Sequence, residues 1–198
     1  GSKEGCVEGD CGACTVVVAR REAGGEMRWH PVNACIQFMG MLEGASVTTI
    51  EGIAPQGDGA PDLHPCQQVM VDHHGSQCGF CTPGFVMSLF AAWCIGDVLA
   101  ADEIDTTLAG NLCRCTGYRP IVEAAAALTV RAIPPAFEAS RRRREAELMD
   151  KIAHDETVVL GDGRRRFIAP AQKEAFAQVY AGSPGATIVA GATDVGLW

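Results

Sequence analysis

The apolar and polar positions divide the chain into three stretches. The first, to about residue 53, reads as strand and turn. Thr15-Val16-Val17-Val18-Ala19 is a short β-branched run, and Gly24-Gly25 marks a turn after it. The segments Arg28–Phe38 and Ser46–Ile53 are expected to supply two further strands. Ala54 to Pro61, with two prolines and two glycines, reads as a linker.

Beyond it the pattern turns helical. One helix is expected from Pro65 to His74, stopped by Gly75. Thr82-Pro83 is a helix start, with threonine as the cap and proline where its missing N–H costs nothing. The body that follows, Phe85 to Trp93, is apolar nearly all round and predicts a buried helix. A short amphipathic piece, Asp102–Leu108, stops at Gly110, and Pro120 opens an Ala-rich helix through Val130. After Pro134-Pro135, a helix over Ala136–Ala153 carries Arg141 to Arg144. Beside Glu138, Glu145 and Glu147, that basic run reads as a solvated face or an interdomain linker. The last stretch predicts a strand pair at Val158–Leu160 and Arg166–Ile168, then a helix over Pro170–Ala181. A buried strand is expected at Ala186–Ala190, leading into Gly191-Ala192-Thr193-Asp194.

Composition narrows the function classes. Apolar residues are 47% of the 198, enough for a packed core. Sixteen basic against 24 acidic residues give a net charge of −8, and aromatics are only 6%. Neither suits a nucleic acid or an anionic membrane surface as partner. The longest apolar run, Phe85–Ile95, is about half the length that a bilayer requires. The chain opens without a basic start and apolar core of the signal-peptide kind, so a reducing, cytoplasmic setting is expected, and cysteines there are metal ligands before they are disulfides. With no initiator Met, and ending on Trp198 within an apolar run, the sequence reads as a fragment.

Eight of the ten cysteines form two quartets. Cys6, Cys11, Cys14 and Cys35 follow C-x4-C-x2-C with twenty residues to the fourth, the spacing of a plant-type [2Fe-2S] loop. Gly5, Gly9 and Gly12 between them let backbone N–H groups turn onto sulfur, and Cys35 is expected from a neighbouring strand. A zinc site would favour two C-x2-C pairs. Cys78, Cys81, Cys113 and Cys115 follow C-x2-C, thirty-one residues, then C-x-C. This second spacing leaves zinc, an iron–sulfur cluster and a redox dithiol open. Two expected helix starts, after Cys81 and after Cys115, would aim positive dipole ends at it and favour an anionic thiolate centre. Cys66 and Cys94 read as buried free thiols, and His73-His74 as partners of a helix C-terminus. No Ser/His/Asp arrangement or paired-carboxylate site stands out, so no catalytic residue is assigned.

Four segments, Gly1–Cys6, Glu8–Thr15, Gln77–Gly84 and Gly110–Tyr118, together resemble the molybdenum hydroxylase family. Leu63–Gln77 and Ala190–Trp198 are most similar to the small iron–sulfur and flavin subunits of its bacterial xanthine dehydrogenase branch. The resemblance implies an α+β chain of three parts. Residues 1–58 would be a β-grasp [2Fe-2S] domain without its opening hairpin and helix. Residues 62–152 would be a four-helix [2Fe-2S] domain, and 157–198 the start of an α/β FAD-binding domain. It implies two [2Fe-2S] clusters, one on each quartet. Gln77 would reach molybdopterin on a large partner subunit, and Ile188, Val189, Gly191, Ala192, Thr193, Asp194 and Val195 would wrap the FAD pyrophosphate. Electrons from a substrate such as xanthine, oxidised to urate, would pass to FAD and NAD+ in a hetero-oligomer. An aldehyde, carbon monoxide or nicotinate hydroxylase is the alternative within the family, and a zinc-bound structural module the alternative outside it.

Overall fold

The computed structural model describes residues 1–22, 24–54, 63–95, 102–128 and 135–198. The expected linker falls almost wholly outside these, as does the end of the Ala-rich helix.

The sheet that opens the fold has the order β2-β1-β3, all antiparallel: β1 (Thr15–Arg21) lies between β2 (Met27–Asn33) and β3 (Ser46–Thr48). The Val-rich β1 is central because its residues Thr15 to Ala19 are buried on both faces, as a run without polar alternation requires. β2 tolerates Pro31 because it is an edge strand, where a missing N–H costs no ladder bond. Both flanking strands are shorter than expected. β2 gives way to a 3-10 turn at Ala34–Ile36, so Cys35 stands on a turn rather than on a strand. β3 ends at Thr48, and Ile50–Gly52 forms another 3-10 turn.

The helices begin where local chemistry starts them. α1 (Pro65–Asp72) has a reciprocal cap: the His64 ring accepts from the Cys66 N–H, and the Gln67 side chain accepts from the His64 N–H. α2 (Thr82–Ile95) starts at Thr82 itself, whose hydroxyl donates to Ser76 Oγ at 2.7 Å, so the expected threonine cap does not form; the helix is buried from Gly84 to Cys94 and is the axis of the molecule. It packs on β1, β2, α1 and α3 (Ile104–Leu108). α4 (Arg119–Leu128) lies against α1. One continuous core joins the sheet residues Val17, Ala19 and Trp29 to Phe85, Phe90, Leu89 and Ile121 of the helices. Among the described residues, no helix is long and apolar enough to cross a membrane.

α5 (Pro135–Ile152) departs from the solvated helix expected of its charges. Glu138 and Glu145 are buried, and Arg141 lies between them and pairs with both. Glu145 also accepts from Trp29 Nε1 (3.1 Å) and Ser46 Oγ (2.7 Å), which reach it from β2 and beside β1 on β3. On the other side, Arg141 reaches Cys94 Sγ at 3.2 Å and covers the Phe90 ring, while Arg142 donates to the Cys94 carbonyl and lies over Trp29. The carboxylates are buried because each is fully occupied by donors. Arg143 and Arg144 remain in solvent, as expected.

β4 (Val158–Gly161) and β5 (Arg166–Ala169) form the expected hairpin, followed by α6 (Lys173–Gly182). Phe167 sits directly on Gly40 and beside Phe38, docking this segment on the turn Met39–Leu42. The expected buried strand Ala186–Ala190 does not form. The segment is irregular and largely exposed, with Ile188 at 54%, because β4 and β5 pair only with each other and leave it no partner strand.

Candidate iron–sulfur sites

The loop Gly5–Ala13 has no repeating secondary structure; its shape is set by backbone N–H groups gathered around sulfur. Cys11 N–H donates to Cys6 Sγ at 3.3 Å. With further N–H groups from Glu8 and Asp10, it lowers the Cys6 thiol to about 7, which favours thiolate. Cys35, from the turn after β2, meets Cys14; burial and that contact push its thiol up to about 11. Asn33 Nδ2 ties the loop to the end of β2 through the Gly9 carbonyl at 2.6 Å.

The second quartet is assembled from two helix starts. α2 begins directly after Cys81, and α4 begins four positions after Cys115. Cys81 meets Cys113, and burial with that contact pushes Cys81 up to about 12. Burial also acts on Cys113, but the Thr116 hydroxyl, 3.1 Å from its sulfur, and the N–H groups of Thr116 and Cys115 outweigh it and bring the thiol down. Cys78 and Cys115 meet at the exposed edge, where the Phe80 N–H lowers Cys78 and the Cys78 thiol raises Cys115. Tyr118 Oη accepts from Cys113 N–H at 3.0 Å and holds this turn against Phe85.

The thiols of each quartet therefore meet two by two: Cys6 with Cys11, Cys14 with Cys35, Cys78 with Cys115, Cys81 with Cys113. Among the described residues, no three His, Cys, Asp or Glu side chains converge as one metal ion would require. Two thiol pairs side by side form a four-thiolate donor set of the kind that a two-iron cluster takes.

A family model described as a [2Fe-2S] binding domain matches residues 49–126, which include the second quartet. Aldehyde oxidase 1 of Cavia porcellus is 50% identical over 125 residues, 63% of this chain and 9% of that protein. Xanthine dehydrogenase of Drosophila pseudoobscura pseudoobscura is 48% identical over 124 residues, 62% of this chain and again 9% of the relative. The structure of quinoline 2-oxidoreductase from Pseudomonas putida 86 superposes with a TM-score of 0.52 at 34% identity, covering 73% of this chain and 77% of that one. The chain belongs to the molybdenum hydroxylase family.

In this molybdenum hydroxylase chain, the remaining candidate residues divide by position. Gln77 is exposed beside Cys78. Of the loop Ile188–Val195, only Ala192 is buried, and Gly191 and Ala192 both turn through positive φ (96° and 62°). Ile188 and Val189 line an open cleft of about 1300 Å³ with Arg164, Arg165, Arg166 and Phe38. Gly196 packs on the backbone of Ile36, next to Cys35, so the C-terminal loop abuts the first quartet. Cys66 and Cys94 are fully buried, apart from both quartets. Sequence reasoning passed over Asn111, which is buried between the two quartets; its place within Gly110-Asn111-Leu112-Cys113 carried no signal separate from the cysteines.

Proposed function

We propose that this chain is the electron-transfer part of a molybdenum hydroxylase of the xanthine dehydrogenase type. Cys6, Cys11, Cys14 and Cys35 would hold one [2Fe-2S] cluster, and Cys78, Cys81, Cys113 and Cys115 a second. The observation that carries this reading is the two-by-two meeting of thiols at both sites, with N–H groups turned on sulfur. An all-thiolate donor set suits iron–sulfur chemistry, and a cluster would supply one-electron storage at each site.

The protein's part is to hold these centres and tune them. Backbone N–H groups of Glu8, Asp10 and Cys11, and the N-terminus of α2 behind Cys81, offset the negative charge of each thiolate set. Exposed Gln77 and Cys78 would face molybdopterin on a large partner subunit, making the second quartet the entry point. The loop Ile188–Val195 would receive FAD, with the Arg164–Arg166 side chains at the cleft nearby to accept its phosphates. The contact of Gly196 with Ile36, next to Cys35, supports a flavin-side position for the first quartet, and NAD+ would be the final acceptor. Substrate oxidation, xanthine to urate, would belong to the partner.

The test is iron, acid-labile sulfide and low-temperature EPR on the reduced chain. Wild type should carry about four iron and four sulfide and show two distinguishable signals. Cys11→Ser should remove one signal and Cys113→Ser the other; loss of both from either change in folded protein, or a colourless zinc-containing protein, would overturn the reading. The relatives named for aldehyde and for xanthine match this chain to nearly the same degree. Turnover by the assembled enzyme should therefore be compared on both substrates, with xanthine the faster.

A further inference from the structure

Between the two quartets lies one buried side-chain amide. Asn111 is 3% exposed, and its polar atoms are all engaged. Nδ2 donates to the Gly12 carbonyl at 2.9 Å and to Thr15 Oγ1 at 3.2 Å. Thr15 Oγ1 can accept because its own proton goes to the same Gly12 carbonyl, at 2.6 Å. Oδ1 accepts from Ser88 Oγ of α2 at 2.6 Å. This network sets the orientation of the amide, since reversing it would bring Oδ1 against the Gly12 carbonyl oxygen and leave Ser88 facing a donor.

The two residues flanking the gap have no room to spare. Gly12 has φ +68°, and a Cβ there would collide with the Gly110 carbonyl; a Cβ on Gly84 would collide with the Gly12 carbonyl. The loop of the first quartet is thereby pressed on the segment that carries Cys113. At that contact the Leu112 N–H donates to the Cys11 carbonyl at 2.9 Å. Leu112 directly precedes Cys113, so this hydrogen bond joins the backbone of a ligand in one quartet to the residue next to a ligand in the other.

We propose that Asn111 is a positioning residue for electron transfer: by clamping Gly12 and Thr15 to α2, it holds the Leu112–Cys11 hydrogen bond closed and sets the electronic coupling between the two sites. The proposal rests on the two-cluster reading above. With [2Fe-2S] clusters held by Cys78, Cys81, Cys113 and Cys115 and by Cys6, Cys11, Cys14 and Cys35, the step concerned would pass one electron from the reduced second site to the oxidised first. No bond forms or breaks, and no proton moves. Other routes across the gap pass through more bonds, as by the Asn111 side chain, or jump through space, where electronic overlap decays more steeply.

Asn111→Asp separates positioning from space-filling. When ionised, it keeps the volume and the acceptor for Ser88 but turns a carboxylate oxygen on the Gly12 carbonyl, so the clamp opens; Asn111→Ala removes the donor in either protonation state. The measurements use the full chain with its clusters: iron and sulfide content, the spin–spin splitting in EPR of the fully reduced protein, the rate of electron equilibration between clusters after a pulse of one-electron reductant, and hydrogen exchange of a peptide containing the Leu112 amide. In Asn111→Asp and Asn111→Ala, both clusters should remain. Leu112 exchange should accelerate, the splitting should shrink, and equilibration should slow by about an order of magnitude. Both clusters present with splitting and rate as in wild type would overturn the proposal while leaving the two-cluster reading intact. A wild-type chain without two clusters would overturn that reading and this proposal with it. If the Asn111 variants do not retain both clusters, Ser88→Ala decides: it leaves the amide but frees its orientation, and an unchanged splitting and rate would overturn the proposal, whereas a smaller shift in the same direction would support it.

Discussion

Replacing Glu145 by alanine tests whether α5 joins the sheet to the helices. Its carboxylate is 7% exposed and accepts from Trp29 Nε1 at 3.1 Å, Ser46 Oγ at 2.7 Å and Arg141 Nη1 at 3.4 Å. Removing it leaves a buried indole N–H and a hydroxyl without their acceptor, and strips the half-buried Arg141 guanidinium of one of its two carboxylates. Glu138 stays in place and still compensates that charge. The loss is therefore smaller than for a fully orphaned ion, about 3 kcal/mol, dominated by hydrogen bonds to a charged acceptor. For a chain of this size, that lowers the melting temperature by about 6–12 °C. Thermal unfolding by near-UV circular dichroism, with Trp29 fluorescence reporting the local contact, provides the readout. Glu147→Ala, two positions on and exposed, should leave the melt unchanged, and Glu145→Gln should fall between, because one oxygen acceptor survives. Equal melts for Glu145→Ala and Glu147→Ala would refute the argument and return the whole of α5 to a solvated helix.

Two further outcomes follow from buried groups near α2. Gly84→Ala places a methyl against the Gly12 carbonyl and should cost about 1–3 kcal/mol in a chemical denaturation curve, whereas Gly182→Ala, with open space around it, should cost nothing measurable. His64 is buried, which pushes its imidazole down to about 4, with Glu138 opposing and Arg141 adding to the effect. The unfolded chain takes up a proton near pH 6.5 that the folded chain resists until about 4, so stability should fall as pH drops through that interval, by about 3 kcal/mol in full. Protonation at Nδ1 would also cost the acceptor for the Cys66 N–H. His64→Asn keeps a capping acceptor without the titration, and melts between pH 5 and 6.5 should show a shallower slope than wild type; identical slopes would remove His64 from the account.

Local chemistry written along the chain was enough for the cysteine spacing, the helix starts and the hairpin. α2 begins at Thr82-Pro83 because a proline's fixed φ suits the first turn of a helix, and C-x4-C-x2-C encloses sulfur within one loop, so neither needs a distant partner. Which thiols meet in pairs was not legible, and Cys35 lies on a turn where a strand is expected, since only the packing of β2 on β1 determines where the chain turns. Burial of charge was invisible. Arg141 and Arg143 sit in one run of four arginines, and what separates them is which side of the helix meets Trp29 and Cys94, residues 112 and 47 positions away from Arg141 in sequence. Ala186–Ala190 has the composition of a strand and lacks a neighbour to pair with, because a strand is completed by another strand and not by its own residues. Asn111 holds Gly12 from 99 positions away. An amide becomes a clamp only when the fold delivers a carbonyl, a hydroxyl and a second hydroxyl to its three bonding directions at once, and that convergence is a property of the tertiary structure alone.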